Sequence, residues 1–276
     1  MTNEQHVGTV ATLYRYPVKS MLGEGCGALA VSQRGAAGDR AWAILDAATG
    51  KVASAKRPKL WRGLLGCGAR TLDDGAVEIS LPDGAVHRAG DPALDDRLSA
   101  LTARAVRLSG TPPAAVEIDR SHPEAQLAAG LDADVASDIL VLGAAAPPGS
   151  FLDYAPLHLV TSATLDGLDG GEAARYRPNI VIRSPSGTAW FPENAWLGGT
   201  LQVGEAILRV ILQTPRCAVP ALAHGALPSR PGALRTAAER NRVDVPGFGY
   251  QPCAGVYAEV LRDGVIRHGD GVAWTH

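Results

Sequence analysis

A cysteine held between prolines is the first residue whose type and setting suggest chemistry. Residues 213–220 read QTPRCAVP, so Cys217 follows Arg216 and has a proline on each side. Proline fixes φ and lacks a backbone donor, and Pro215 and Pro220 therefore predict a rigid loop instead of a central strand or helix. A thiol beside a guanidinium can act as a nucleophile or as a ligand for a soft metal. A half-buried structural cysteine is the alternative that this octapeptide leaves open.

Two short segments of the first half could bind an anion. YPVKS, residues 16–20, contains Lys19 and Ser20, and GDRAW, residues 38–42, contains Arg40. Together they would offer a phosphate one ammonium, one hydroxyl and one planar guanidinium fork. The alternative is that Lys19 and Arg40 lie at solvated strand ends.

Polar side chains in the second half stand at predicted turns and junctions. Arg177 and Asn179 flank a proline just before an apolar strand, and such a turn projects a cation and a carboxamide from one rigid point. Thr161 and Ser162 mark a junction from strand to helix with free backbone N–H groups. The alternatives are a plain turn former at Asn179 and simple helix capping at the junction. Asp153, on an irregular loop, has no partner that spacing identifies and is interpreted as a solvated carboxylate.

Length and composition bound the class of protein. The 276 residues can build two domains or one large β-rich domain. Hydrophobic residues make up 46% of the chain and charged residues 20%, which is typical of a globular protein. A net charge of -2 gives no general attraction to nucleic acid or to anionic membranes. No apolar run is long enough for a membrane span and no signal peptide pattern is present. We therefore expect a cytoplasmic protein without a nucleic-acid or membrane partner.

The remaining metal and nucleotide motifs find no support. The cysteines form no C-x-x-C pair, so they predict reduced thiols, and any redox partner is expected to be a separate protein. The histidines lack metal-binding spacing, and no glycine-rich phosphate loop follows a strand. His158, inside LHLV, is interpreted as a satisfied strand histidine.

Strand and hairpin patterns dominate the first half. Residues 9–20 form a β-rich run that breaks at Pro17, and residues 41–55 and 77–90 each place two apolar runs around a turn. Apolar residues at helical spacing predict a short helix over 94–106 that closes a first domain.

Proline-rich stretches then separate the halves. Residues 111–126 are interpreted as the link and residues 144–156 as a long irregular loop. Ser162 fits the N-cap of a short helix, and residues 231–241 predict a later one. Further strands are predicted at 157–161, 179–183, 200–214 and 255–272.

Six short motifs occur in the order found in one known family. They are YPVKS, GDRAW, PLHLVT, RPNIV, TPRC and VYAEVLRDGVIRHGDGV, and they run from about residue 9 to residue 273. On these motifs the chain resembles the MOSC proteins, named after the C-terminal domain of molybdenum cofactor sulfurases. It is most similar to the branch with an N-terminal MOSC β-barrel domain, which includes the amidoxime-reducing component and bacterial relatives.

The resemblance implies an α+β, β-rich fold. A β-barrel-like N-terminal MOSC domain would cover residues 1–118, and a MOSC β-barrel domain with a few peripheral helices would cover residues 119–276. It also implies the molybdenum cofactor, molybdopterin with Mo, with Cys217 as both metal ligand and catalytic residue. The implied contacts to this cofactor are Lys19, Ser20, Arg40, Thr161, Ser162, Arg177, Asn179 and Arg216.

The implied function is a molybdenum-dependent oxidoreductase acting on small N-hydroxylated or N-oxide compounds. Its electrons would come from a separate protein of ferredoxin, flavoprotein or cytochrome type. The alternatives are sulfur transfer through a persulfide on Cys217 or Cys253, and a carrier of the cofactor. Residues 243–255 are longer and richer in Gly and Pro than expected for the family. They are expected to form a lid with Cys253 at the substrate side, with a plain surface excursion as the alternative.

Overall fold

The structure, a computed structural model, describes residues 4–147 and 149–276. Its strands, in chain order, are β1 (Gln5–Arg15), β2 (Glu24–Cys26), β3 (Ala28–Ser32), β4 (Gly35–Ala36), β5 (Ala43–Asp46), β6 (Gly68–Thr71), β7 (Val77–Ser80), β8 (Val86–Arg88), β9 (Val106–Ser109), β10 (Glu117–Ser121), β11 (Ser137–Val141), β12 (Leu157–Thr161), β13 (Ile180–Arg183), β14 (Thr200–Val203), β15 (Ala206–Pro215), β16 (Arg242–Val245), β17 (Gly249–Arg262), β18 (Gly264–Arg267) and β19 (Gly271–Thr275).

The helices are short. They are α1 (Pro58–Trp61), α2 (Pro92–Thr102), α3 (Pro123–Ala129), α4 (Ser162–Asp166), α5 (Ala173–Tyr176) and α6 (Gly232–Arg240), with 3₁₀ turns at Arg62–Gly66, Pro192–Trp196 and Val219–Ala221. Helix α2 starts after Asp91, whose carboxylate accepts from the Ala93 N–H, and ends where Ala103 turns to a φ of 51°. The dominance of strands confirms the β-rich α+β class.

Seven strands close into a barrel. Their order is β12, β13, β1, β19, β14, β15 and β17, and β17 pairs back with β12. Neighbouring strands are antiparallel except β12 and β13, which run parallel and are connected through α4 and α5. Closure leaves these strands no free edge within the barrel. Outside the ring, β16 extends the sheet beyond β17, and β2 pairs with β1.

Strand β1 comes from the start of the sequence but lies in the barrel with strands of the second half. It pairs with β13 on one side and β19 on the other, and β3 of the first half pairs with β18. The remaining first-half strands form a three-stranded sheet of β6, β7 and β8 and a pair of β5 and β9. Because β1 is a barrel strand that ends at Arg15, the first-half segments that come after it begin at the end of the barrel where β1 ends.

Each half has its own apolar core. The barrel is filled by aliphatic side chains that alternate along its strands, among them Leu13, Leu159, Ile182, Leu208 and Val256. The first half packs α2 and its small sheets around a second group, among them Val18, Ile44, Leu64, Ile79 and Leu94. Burial of alternate residues along these strands is what the period-two pattern of the sequence predicts.

Most predicted elements are confirmed. The break at Pro17, the 77–90 hairpin, the helix near 94–106 and the helix near 231–241 are all present with ends shifted by a few residues. The stretch between β11 and β12 forms no helix or strand in its described part, as expected for the irregular loop at 144–156. Among the described residues, no helix combines the length and the apolar character needed to cross a lipid bilayer.

Two predictions about connecting segments are wrong. Residues 111–126 are not a plain link, because they contain β10 and the start of α3. Residues 243–255 are not an irregular loop, because they form the hairpin of β16 and β17 with its turn at residues 246–248, and Phe248 of this turn lines the cavity described below. In both cases pairing with a neighbouring strand overrides a composition that is typical of loops.

Two boundaries also differ from expectation. The rigid loop begins later than predicted, because β15 continues to Pro215, which pairs with Cys253 at the strand end. The N-cap of α4 is Thr161 instead of Ser162, since the Thr161 hydroxyl accepts from the Thr164 N–H at 3.1 Å.

Candidate functional site

A cavity opens beside the barrel, where the two halves of the sequence meet. Its empty volume is about 1380 Å³, including space open to solvent. Both halves supply its wall, which includes Lys19, Arg40, Lys56, Asp153, Arg177 and Cys217. A cleft between two packed halves, with converging polar groups, is the usual form of a small-molecule site.

The two predicted anion-binding segments of the first half lie side by side. The Arg40 N–H donates to the Tyr16 carbonyl at 2.7 Å, and the Trp42 N–H donates to the Pro17 carbonyl at 3.0 Å. The Lys19 N–H returns a bond to the Trp42 carbonyl at 2.8 Å. This backbone ladder places the side chains of Lys19 and Arg40 on one wall of the cavity.

Three predicted site residues have left-handed backbone conformations. The φ values are 65° at Ser20, 46° at Arg40 and 56° at Arg177, all uncommon for residues with a side chain. Such conformations persist where the surrounding structure imposes them, often at functional sites. The Ser20 hydroxyl also accepts from the Ala55 N–H at 3.1 Å, so it helps to hold the neighbouring segment.

Asp153 joins two lysines across the cavity wall. Its Oδ1 is ion-paired with Lys19 and lies 3.1 Å from the Lys56 Nζ. Burial opposes the charged form of Asp153, but the two ammonium groups outweigh it and hold the pKa of the carboxyl well below its usual range. Burial lowers the pKa of Lys19 to about 8, although Asp153 opposes that shift. The interpretation of Asp153 as a solvated loop carboxylate is therefore wrong.

Two guanidinium groups stack on Tyr16 at the same wall. The Arg40 and Arg177 guanidinium carbons lie 4.6 and 4.3 Å from the ring centroid. Arg40 is ion-paired with Asp39, whereas Arg177 donates from Nη1 to the Met21 carbonyl at 2.6 Å. Burial, and then Arg40, lower the pKa of Arg177 to about 10. The buried Nη2 of Arg177 has no hydrogen-bond partner among the described residues.

Arg216 is fixed by neutral acceptors beside the candidate thiol. It donates to the Tyr176 carbonyl at 2.9 Å, to the Thr214 carbonyl at 3.2 Å and to His158 Nε2 at 2.8 Å. Since a guanidinium only donates, Nε2 accepts in the 2.8 Å contact and the imidazole is neutral, so the Ala254 carbonyl, 3.2 Å from the same nitrogen, receives no proton from it. Burial, and then Arg216, lower the pKa of His158 well below its usual value. The prediction that His158 is a satisfied strand histidine is confirmed, and it also orients Arg216.

Cys217 lines the cavity in a half-buried position. It follows the end of β15 and precedes the 3₁₀ turn Val219–Ala221, so regular structure fixes the chain on both sides. Burial opposes the charged form of Lys56, but Asp153 and then a Cys217 thiolate favour it, and the pKa of Lys56 is raised. Arg216 and Lys56 thus place positive charge beside Cys217.

Asn179 lines the cavity, but its carboxamide serves the fold. Its Oδ1 accepts from the His158 N–H at 3.1 Å, and its Nδ2 donates to the Tyr14 carbonyl at 3.4 Å. These bonds tie β12 to β1 just before β13 begins. Asn179 therefore holds the strands that carry the site.

The structure does not bring Thr161 and Ser162 to the cavity, which corrects their prediction as cofactor contacts. The Thr161 hydroxyl donates to the buried Glu193 carboxyl at 2.8 Å while capping α4. The Ser162 hydroxyl accepts from the Ser184 N–H at 3.0 Å. Both side chains are used by the fold, which agrees with the capping alternative.

Several wall residues were missed by the sequence analysis. Lys56 stands in a basic run, AKRPK, whose charges look like those of a solvated turn. An aromatic wall is formed by Tyr154, Phe248 and Tyr257, with ring centroids 5.7 Å apart for Tyr154 and Phe248 and 5.5 Å apart for Tyr154 and Tyr257. These residues come from the 142–156 loop, the β16–β17 turn and β17, and no sequence spacing links them.

Cys253 is not at the substrate side as expected. It is buried in β17, and burial raises the pKa of its thiol to about 12. Its neighbours Val245 and Leu212 belong to the apolar packing under the hairpin. Cys253 is therefore a structural thiol.

The protein supplies one thiol to the cavity and no cluster of metal ligands. Within residues 4–147 and 149–276, no group of three or more His, Cys, Asp or Glu side chains could hold a metal ion. A metal at Cys217 would take its other ligands from a bound molecule.

The fold and the cavity define a β-barrel protein with a cavity lined by several cationic side chains beside a free thiol. Family models match the chain in two blocks: the MOSC N-terminal beta barrel domain at residues 7–111 and the MOSC domain at residues 150–273. The chain belongs to the MOSC proteins and carries both domains.

One curated relative covers nearly the whole chain. It is mitochondrial amidoxime-reducing component 1 of Homo sapiens, 26% identical over 302 residues, which include 97% of this chain and 83% of the relative. Two solved structures are also similar. The YUAD protein from Bacillus subtilis has a TM-score of 0.43 at 9% identity, covering 100% of this chain and 98% of that one. YiiM from Geobacillus stearothermophilus has a TM-score of 0.29 at 18% identity, covering 44% of this chain and 55% of that one.

Proposed function

We propose that this protein is a molybdenum-cofactor-dependent oxidoreductase that reduces small N-hydroxylated or N-oxide compounds. Electrons would come from a separate protein of ferredoxin, flavoprotein or cytochrome type. The similarity to the human amidoxime-reducing component supports the reaction class. Location in the cytoplasm and the division at residues 118 and 119 remain predictions from the sequence.

The observation that carries the proposal is the combination of cations and one accessible thiol in the same cavity. Lys19, Arg40 and Arg177 come from separate segments of the chain and converge on one wall. Cys217 faces the same space. Buried cations with few carboxylates favour an anionic ligand, and a thiolate suits a soft, high-valent metal.

The residues present fit molybdopterin. The buried Nη2 of Arg177 lacks a partner among the described residues, and a phosphate oxygen would satisfy it. The lowered pKa of Lys19, to about 8, shows an ammonium whose burial is only partly compensated, and an added anionic group would favour its charged form. Molybdopterin would bind the metal through its own dithiolene sulfurs, so one ligand from the protein is expected. Cys217 is the residue that would supply it.

The chain's own residues would bind and orient the cofactor and would shield the reacting atoms from water. Lys19, Arg40 and Arg177 would hold the anionic end of the cofactor, and Arg216 would place a positive charge beside Cys217. The aromatic wall of Tyr154, Phe248 and Tyr257 would exclude bulk water from the reacting atoms.

When bound, the cofactor supplies the two electrons that cleave the N–O bond. In the balanced reaction, one N-hydroxyl compound takes up two electrons and two protons and is converted to the corresponding N–H compound and one water molecule. The two electrons would be delivered by the partner protein, and the two protons would be taken from solvent at the open side of the cavity.

The test is to produce the protein in a host that makes the cofactor and to measure Mo per chain. Turnover of a simple amidoxime is then followed with a chemical reductant. Mo with turnover supports the proposal. Mo without turnover indicates the carrier alternative, and a Mo-free protein with a persulfide on Cys217 indicates sulfur transfer.

A matched pair of variants assigns the effect to one thiol. Cys217→Ser should lose Mo and turnover while keeping the thermal midpoint within a few degrees, because the residue lies on a loop at the cavity. Cys26→Ser is the control, since Cys26 is also half-buried but lies in β2, away from the cavity wall. Equal Mo content in both variants would contradict the role of Cys217.

A further inference from the structure

Lys56 and Asp153 form a part of the cavity that the family motifs do not include. The Lys56 Nζ lies 3.1 Å from Asp153 Oδ1, and Lys19 is ion-paired with the same oxygen. Lys19 also donates to the Phe151 carbonyl at 2.9 Å. One carboxylate oxygen thus occupies the point on which two ammonium groups converge.

The backbone that carries Asp153 is fixed, whereas its side chain faces the cavity. Phe151 and Leu152 are buried before it, and Ala155 is buried after it. The Asp153 carbonyl accepts from the Gly143 N–H at 3.3 Å. The Asp153 side chain remains 37% exposed. A rotation of this side chain alone would therefore free both ammonium groups without opening the loop.

The charges of the cavity make this carboxylate exceptional. Among the described residues that line it, seven carry an ammonium or guanidinium group and one, Asp153, carries a carboxylate. Arg40 and Arg175 are paired with carboxylates outside the wall, but Lys19 and Lys56 share only Asp153 among the ion pairs of the described residues. An entering anion would meet its strongest competitor at this point.

We propose that Lys19 and Lys56 form a phosphate-binding subsite in which the Asp153 carboxylate takes the place of the phosphate until a ligand displaces it. The inference deepens the proposed function, because it rests on a cavity for an anionic ligand. It assigns Lys56 as a further binding residue and Asp153 as an internal competitor. A phosphate oxygen, like the carboxylate oxygen, accepts hydrogen bonds from both ammonium groups.

Removing the competitor should strengthen phosphate binding. Asp153→Asn keeps the size of the side chain but removes its charge, and inorganic phosphate should then bind the cofactor-free protein about tenfold more tightly. Lys56→Gln should weaken phosphate binding about tenfold, because one charge-assisted bond is lost. Isothermal titration with inorganic phosphate at low ionic strength measures both changes, since screening by salt would reduce them.

Asp119→Asn is the matched control. Asp119 also bridges two cations, with Lys51 at 2.7 Å and Arg57 at 3.1 Å, but it lies outside the cavity wall. This variant should leave phosphate affinity unchanged. A gain as large as that of Asp153→Asn would show a general effect of net charge and would overturn the proposal.

The remaining outcomes separate this proposal from the proposed function. Unchanged or weaker phosphate binding in folded Asp153→Asn overturns the subsite, whatever the Mo content. If that variant does not fold, Lys56→Gln decides, and unchanged affinity there overturns it as well. Stronger phosphate binding in Asp153→Asn, together with a protein that never acquires Mo, supports the subsite and contradicts the proposed function.

Protein loaded with the cofactor distinguishes the source of the phosphate. If the cofactor's own phosphate fills the subsite, inorganic phosphate should not bind the loaded protein, and Asp153→Asn should retain more Mo than wild type after dialysis. Phosphate that still binds between Lys19 and Lys56 in loaded protein would overturn the assignment to the cofactor and leave a site for free phosphate.

Discussion

Arg177 and Arg40 are neighbours with opposite electrostatic settings. Both stack on Tyr16, but Arg40 has Asp39 as its counterion and Arg177 has only a carbonyl and an open N–H. A buried donor without a partner is unfavourable in a protein that binds nothing. We therefore predict that this N–H of Arg177 donates to the ligand.

Arg177→Lys should reduce ligand retention while keeping the charge. A lysine cannot present the planar fork, and the loss of a charge-assisted hydrogen bond should lower affinity by roughly 1.5–3 kcal/mol. Mo content after dialysis, or phosphate titration of cofactor-free protein, measures the effect. Arg183→Lys, an exposed arginine of β13, is the control. If the two variants retain ligand equally, Arg177 is not a ligand contact.

His224 should make stability depend on pH. Burial is the main cause that lowers the pKa of His224 to about 4, and the nearby Arg177 and Arg175 lower it further. The hydrogen bond with the Leu222 carbonyl and the charge of Glu172 oppose this shift. The unfolded chain binds the proton near pH 6.5 and the folded chain only near pH 4. Stability is therefore full above pH 6.5 and falls as the pH drops toward 4, by up to about 3 kcal/mol.

Thermal midpoints between pH 7.5 and pH 4.5 test this dependence. His224→Gln should flatten the fall in midpoint relative to wild type, although His158, whose pKa is also lowered, continues to contribute to the fall. His268→Gln changes an exposed histidine and should keep the wild-type slope. Parallel curves for wild type and His224→Gln would show that His224 does not carry the effect.

Single residues were predictable where a reactive type stands next to a turn. Lys19, Arg40, Arg177 and Cys217 all have this signature, and the structure brings them to one cavity. Asp153 could not be identified, because its partner Lys19 is 134 positions away and nothing local encodes the pairing.

At the level of elements, the β16–β17 hairpin shows how backbone shape supports the site. Gly255 in β17 has a φ of 80°, and a Cβ added there would lie 2.3 Å from the Leu159 carbonyl oxygen and 2.5 Å from His158 Nε2. A side chain there would push against the histidine that holds Arg216. The bend of β17 at this glycine therefore helps to set the position of Arg216 beside Cys217.

Gly255→Ala should destabilise the protein by about 2 kcal/mol or more, because the positive φ and the steric overlap act together. Gly247→Ala isolates the first effect, since Gly247 has a φ of 79° and open space where a Cβ would be. Chemical denaturation compares the two free energies of unfolding. Equal losses would mean that the contact with His158 is not strained.

Hairpins with short polar turns were predictable because their sequence determines them locally. The strand conformation of GFGYQP at 247–252 was not predictable, because its glycines and proline are typical of loops. This segment is ordered by pairing with β16 and with the adjacent β15. Pro215 was misjudged for a related reason. A proline at the last position of a strand removes no hydrogen bond that the sheet needs.

At the level of the whole molecule, β1 makes the two halves of the sequence interdependent. Without it, β13 and β19 would both become open edges of the barrel. Length and composition left two domains or one large β-rich domain as the expectation, but they could not predict the sharing of β1, since strand pairing over such distances leaves no periodic pattern in the sequence.

A fragment of residues 119–276 should therefore fail to fold alone. Loss of near-ultraviolet circular dichroism and of a cooperative thermal transition would show it. Adding residues 1–118 as a separate chain should restore both. A more specific experiment fuses residues 1–15 to the fragment through a flexible linker. This fusion should restore the barrel without the rest of the first half. A cooperative transition in the unfused fragment would contradict the role of β1.

The pairing of β1 also imposes an order on biosynthesis. Strand β1 emerges from the ribosome well before its two barrel neighbours, β13 at Ile180–Arg183 and β19 at Gly271–Thr275. Domains usually fold from the N-terminus as they emerge, but this barrel cannot close until residue 275 has been added. Until then β1 presents unpaired backbone groups, which makes the nascent chain a substrate for chaperones. Both halves supply walls of the cavity, so we expect its ligand to bind only after the two halves have folded together.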